Sequence, residues 1–161
     1  MAGILQSGQV TPSHLAIWAA DGVLQDGGPG MGQFVLASLR GANFNTTNDQ
    51  PIIIPQRIVA FRLQNIIVTN ASVSLTTAAG GVYPAASKGG TPIVAAAQAY
   101  SALTTQDSLL SLTSTAFFTG TRFSSRTLGQ LNGLNAIWLS LTTGQGAPAT
   151  ADVYLLGSDL T

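Results

Sequence analysis

The sequence predicts an all-β fold, an antiparallel β-sandwich of jelly-roll-like type with an extended N-terminal arm. Three observations carry this. Residues 58–83 alternate apolar and polar side chains with period two over the longest stretch of the chain. From residue 34 onward, short apolar runs recur between Gly, Pro and Asn clusters, giving seven to nine strands at near-regular spacing. The first 33 residues hold seven glycines (Gly3, Gly8, Gly22, Gly27, Gly28, Gly30 and Gly32) and no sustained pattern. The expected organisation is an arm over residues 1–33 and a sandwich over residues 34–161.

The elements follow in order. In the arm, His14, Leu15, Ile17 and Trp18 form a small apolar group, and Asp26-Gly27-Gly28-Pro29-Gly30 reads as a joint. Such arms, with a few large anchors on flexible hinges, order on a partner. Residues 34–39 are a first strand, and the Asn- and Thr-rich stretch after them a loop. Ile52 to Ile54, between Pro51 and Pro55, fit only a short edge strand or an extended connector, because each proline removes a ladder donor.

The centre is expected to be a hairpin. Val59, Phe61, Leu63 and Ile67 fall on one face of its first strand, and Ala71, Val73 and Leu75 on one face of its second, with the reversal at Asn70. Such a pair cannot stand alone in water, so the other strands must supply a second layer. AAGG at 78–81 and SKGG at 87–90 read as turns flanking a strand at 82–86. Residues 91–103 read as a strand entering a short helix or an extended connector, since Ile93, Ala96, Ala97, Tyr100 and Leu103 also fit a helical face.

Strands follow at 110–113 and at 116–122 around Phe117 and Phe118, with a turn region at 128–135. Two strong strands close the chain, one around Ile137, Leu139 and Leu141, the other around Val153 and Leu155. Trp138 is out of phase with its apolar neighbours, so it is expected to face away from the sandwich core as an exposed interface residue. Trp138 and Tyr154 are the expected oligomer-interface pair.

Composition narrows function. Charged residues are 7% against a typical ~25%. The six acids are all aspartate, and six Lys/Arg give a formal net charge of 0. Near-zero charge promotes association, so a surface of Ser, Thr, Asn, Gln, Ala and Gly suits a protein packed against copies or partners. Sparse, unclustered cations argue against nucleic acid, Arg122 and Arg126 being the closest pair of the second half. No run approaches the ~20 apolar residues of a spanning helix and the opening lacks a basic leader, so neither membrane anchor nor secretion signal is expected.

The chain carries no cysteine and one histidine, His14, in the arm. Asp21, Asp26, Asp49, Asp107, Asp152 and Asp159 are scattered over apparent turns, so neither a triad nor a carboxylate pair is in view. Asn45 to Asp49 offer oxygen ligands for a weak ion, although Asx-turn capping accounts for them better. GGPGMG, AAGG and SKGG lack the Gly-Lys-Ser/Thr that phosphate cradling requires. No catalytic residue, cofactor or metal is expected, and the chain is not expected to be an enzyme.

The opening GQVTPSHLAIWAADGVLQDGG, residues 8–28, resembles an N-terminal motif of the form G-x-V-T-P-G-H-L…W…D-G-V-x-Q-D-x-G found in tailed-bacteriophage virion proteins such as fibre, spike and head-decoration components. Ser13 stands where that motif has glycine. Residues 68–103 and 139–161 are similar to small phage structural proteins encoded among head genes. The resemblance covers most of the chain.

It implies a capsid decoration (cement) protein on the virion surface. Its partners would be the major capsid protein of the phage head and copies of itself, a trimer ahead of a dimer. Val10, Pro12, His14, Leu15, Trp18, Val23 and Gln25 of the arm would form the partner-binding set. The alternatives are the base of a head spike, collar or tail fibre, and a carbohydrate-binding attachment module in which aromatics such as Trp138 and Tyr154 stack on sugar rings.

Overall fold

The computed structural model describes residues 5–7, 14–20, 23–29, 34–112, 122–124 and 127–160, the first three ranges as backbone. Two compact units are present, Met1–Gly32 and Gln33–Thr161. Among its described residues the first holds three strands where the sequence pattern indicated none: β1 (Leu5–Ser7), β2 (His14–Ala20) and β3 (Val23–Pro29). They form one sheet in the order β1-β3-β2, with β1 parallel and β2 antiparallel to β3.

The second unit is an all-β sandwich of two sheets. Its strands are β4 (Phe34–Asn43), β5 (Gln50–Ile53), β6 (Ala60–Thr69), β7 (Ala79–Tyr83), β8 (Leu109–Ser111), β9 (Arg122–Ser124), β10 (Gly129–Leu131), β11 (Leu134–Thr143) and β12 (Thr150–Asp159). One sheet runs β4-β12-β6, and both β8 and β9 pair with β6. The other is centred on β11, which pairs with β5, β7 and β10. β5 is an edge strand with Pro51 in it opposite Trp138, a position where the missing N–H costs no ladder bond on the open side.

Alternation drives the packing. β12 buries Ala151, Val153 and Leu155 and turns Asp152, Tyr154 and Leu156 outward. β11 sends Ile137, Leu139 and Leu141 into the same inter-sheet core. Phe44 meets Tyr100 edge to face at 4.9 Å, and Phe61 stacks on Phe123 at 5.4 Å, so each aromatic ties a strand or loop to a neighbour far away in sequence.

Four sequence expectations change. The central hairpin does not form. Asn70 does turn the chain, with φ 55°, but residues 71–78 leave β6 and cross to the other sheet, and β6 is flanked by β12 on one side and β8 and β9 on the other. Ala71 and Leu75 plug the core during that crossing while Val73 is exposed, so their spacing reflects two anchor points and not a strand face.

Within β6 the inward set is Phe61, Leu63, Ile66 and Val68. The register against β12 slips between Leu63 and Asn65, and this bulge moves Ile67 to the outer face. Val59 precedes the strand and is 49% exposed.

Gly80 and Gly81 are not turn residues, because they lie inside β7 against β11. A Cβ on Gly80 would fall onto the Leu141 backbone, and one on Gly81 would sit 2.6 Å from the Val94 carbonyl oxygen. Close backbone approach, and not chain reversal, is why glycine stands there.

Residues 91–103 hold no helix. The segment is an irregular connector along β7 with turns at 95–98 and 100–103, held by Ile93 N–H donating to Val82 O at 2.8 Å and Tyr100 N–H to Ala78 O at 3.1 Å. Ile93, Val94, Tyr100 and Leu103 are buried by it. Residues 128–135 form a tight hairpin, β10 to β11, through Asn132 and Gly133 with φ 51° and 79°. Phe117 and Phe118 lie outside the described residues.

Candidate interaction surfaces

Of the predicted partner-binding residues, Val10 and Pro12 lie outside the described residues. His14, Leu15 and Trp18 fall on β2, and Val23 and Gln25 on β3. The register brings them into one small sheet, with His14 opposite Pro29, Trp18 opposite Leu24, and Gln25 paired with both Ser7 and Ile17. Five of the seven residues therefore share two adjacent strands.

Trp138 is 4% exposed, which overturns the expectation of an exposed indole. Trp138 does point away from the inter-sheet cluster to which Ile137, Leu139 and Leu141 belong. Burial comes from outside the sheet. Residues 84–90 fold back over this outer face, with Pro84 O accepting from Gly129 N–H at 2.8 Å and Ala85 bridged to Gly89. A Cβ on Gly129 would lie 2.8 Å from the Trp138 ring and 3.2 Å from Ala85 Cα, so indole, strap and β10 are in close contact. Covered in this way, Trp138 offers no flat platform for a sugar ring.

Asp49 fastens the strap. Its Oδ2 accepts the Ser87 N–H, and its Oδ1 accepts the hydroxyl of Ser140, which is fully buried on β11 two residues beyond Trp138. Tyr83, opposite Trp138 in register, is pushed above the usual tyrosine range by burial first and by the Asp49 charge second. Nothing in the local sequence pairs Asp49 with Ser140, and the only forewarning is that SKGG supplies the tip of the strap.

The remaining polar constellations also serve the fold. Asn43 Oδ1 accepts Asn45 N–H at 2.8 Å, Thr46 Oγ1 accepts Asn48 N–H at 3.2 Å, and Asn45 Oδ1 accepts Gly146 N–H at 2.8 Å. The 43–49 loop thus uses its own oxygens as caps. Gln145 braces the 70–78 crossing by accepting from Thr77 N–H at 3.1 Å and Ala78 N–H at 3.2 Å. Asp152 accepts Gly41 N–H at 2.7 Å and an Asn70 side-chain N–H at 3.1 Å, which pins a β4 bulge and the left-handed turn together. Among the described residues, no three His, Asp, Glu or Cys converge as a metal site, and no helix is long and apolar enough to cross a membrane.

The outer face of the β4-β12-β6 sheet is the open one. Tyr154 lies there between Ser38 and Ile67, Leu156 between Val35 and Asn65, and Ser158 beside Arg62, which in turn stands opposite Arg122. Val35 is 50% exposed, and Tyr154, Leu156 and Ile67 are half-buried. Tyr154, expected from the sequence at an interface, thus sits on a four-strand surface that no local pattern reveals.

What these features define is an antiparallel β-sandwich with one strapped face, one open face, and a separate N-terminal three-stranded unit. No family model matches the chain, and neither a curated protein nor a solved structure is similar to it at a significant level.

Proposed function

We propose that this protein is a structural component of a tailed-bacteriophage particle, a decoration protein that binds the outside of the major capsid protein lattice and associates with copies of itself. The observation that carries the reading is the motif of residues 8–28, with its Val-Thr-Pro, His-Leu, Trp and Asp-Gly-Val-Leu-Gln-Asp segments, set apart from a sandwich that has its own core. The composition supports it, because a chain with 7% charged residues and zero net charge suits life in an assembly. In this reading the N-terminal unit docks and the sandwich makes lateral contacts. Many copies of a modest contact then resist internal pressure together.

The test is deletion of residues 1–28 followed by binding to undecorated heads. The expected result is a folded sandwich that no longer binds, and retained occupancy by the truncated protein would refute the assignment. Copy number separates this role from a spike base, collar or tail-fibre anchor. A decoration protein is present in hundreds of copies per particle and a vertex or tail part in tens or fewer, orders of magnitude set by shell-wide against axial symmetry.

A further inference from the structure

The geometry points to a second copy of this chain as the occupant of the open sheet face, related to the first by a two-fold axis. The inference deepens the self-association in the reading above and rests on that part of it alone.

β12 is regular, and each register slip along it falls in β4 or β6, so its outward side chains form one straight row: Asp152, Tyr154, Leu156, Ser158. The neighbours in register give that row an order. At one end Asp152 lies beside Thr69, with Arg40 and Gly41 in the bulge across from it. The middle is apolar, with Tyr154 and Ile67 side by side, then Leu156 next to Val35. At the other end Ser158 borders Arg62, and Arg62 faces Arg122.

The Arg62–Arg122 pair needs a reason. Like charges directly opposite on an antiparallel pair are destabilising. Both residues are exposed, and together they are two of only six cationic residues in the chain. Their neighbour in register on β12 is a serine, while Asp159 pairs with Phe61 and alternates away from them. The pair is costly in a lone molecule and useful opposite a carboxylate.

A two-fold axis through the centre of the face supplies one. Turning a second copy about a point between Tyr154 and Leu156 reverses the row, so the Asp152 end of each copy, which also carries the exposed Arg40, meets the Arg62–Arg122 end of the other. The two charged ends lie about 20 Å apart, six residues at ~3.3 Å each, and the apolar middle meets itself. Asp152 remains available, since an ionised carboxylate accepts about four hydrogen bonds and its donors within the chain are the Gly41 N–H, the Asn70 side-chain N–H and the Tyr154 hydroxyl. A surface complementary to its own reverse is the condition for an isologous dimer. The opposite sheet lacks such a face because residues 84–90 close it.

The test is sedimentation equilibrium of the full chain across a concentration series. The wild type is expected to dimerise, more weakly as salt rises. Ile67→Lys is expected to be monomeric, and Arg62→Glu with Arg122→Glu to raise the dissociation constant about tenfold or more. Val73→Lys, at an exposed apolar site in the crossing segment, is expected to dimerise like wild type, and near-UV circular dichroism checks that each variant is folded. A wild type that remains monomeric, forms a trimer, or dimerises regardless of Ile67→Lys and the arginine reversals would overturn the inference. None of these outcomes bears on whether residues 1–28 dock on a capsid, which the deletion experiment reads separately.

Discussion

Asp49 and Ser140 lie 91 residues apart in sequence and meet through a hydrogen bond in which the buried hydroxyl donates to Oδ1. The same carboxylate receives the Ser87 N–H through Oδ2. One side chain from the β4–β5 loop therefore holds the 84–90 strap over Trp138, and a tryptophan on the outer face of a sheet becomes a buried one.

Asp49→Ala is expected to loosen that strap. It leaves the Ser140 hydroxyl and the Ser87 N–H without their acceptor, a loss of about 1–3 kcal/mol. In a Trp18→Phe background, which leaves Trp138 as the only indole, emission should shift to the red and acrylamide quenching should rise. Unchanged quenching would show that the strap stays closed without Asp49.

The strap tip is a second point of leverage. Ser87 and Lys88 both have positive φ, 57° and 55°, and Gly89 N–H donates to Ala86 O at 3.0 Å, a type I′ turn built from two residues that disfavour it. Changing Ser87-Lys88 to Asn-Gly is expected to stabilise the protein by about 1 kcal/mol or more, since left-handed backbone costs a residue with a Cβ about that much. Urea midpoints of the two proteins measure it.

Gly157 tests the close packing of β12 on β6. A Cβ there would meet the Arg62 carbonyl oxygen and lie 2.7 Å from a Leu36 methyl, so backbone must move to admit even alanine. Gly157→Ala is expected to cost more than about 3 kcal/mol, the range of severe core overpacking. Gly144→Ala, whose Cβ would sit 3.1 Å from the Asn45 backbone, is expected to cost less in the same denaturation experiment.

Tyr100 predicts the alkaline limit of stability. Its hydroxyl donates to Gly80 O at 3.2 Å inside the core, and burial, followed by the neighbouring Tyr83, pushes its pKa well above the ordinary 10.0. The folded state holds this proton more tightly than the unfolded state does. The contribution is therefore complete below pH 10 and declines as pH rises from 10 toward the higher folded value. Tyr100→Phe should flatten that decline, and it should cost about 1 kcal/mol at neutral pH by leaving Gly80 O unpaired. Tyrosinate absorbance against pH, together with unfolding curves on either side of pH 10, checks both halves.

Local pattern was enough for the strand class and for the inward sets of β11 and β12, because period-two alternation on a regular strand maps directly onto two faces. It also determined that Pro51 belongs to an edge and that Asn70 reverses the chain, since proline and left-handed backbone are local properties. The rest depended on contacts between distant strands. One extra residue in β6 reversed the side of Ile67, a slip visible only against the β12 register. The candidate hairpin gave way to a crossing because β12, β8 and β9 occupy both edges of β6, a competition among strands far apart in sequence. Trp138 lay out of phase as its spacing requires, yet a strap from another part of the chain buried it. Period and propensity act within a few residues, whereas register, sheet partners and the covering of a face are settled by contacts that no local window contains.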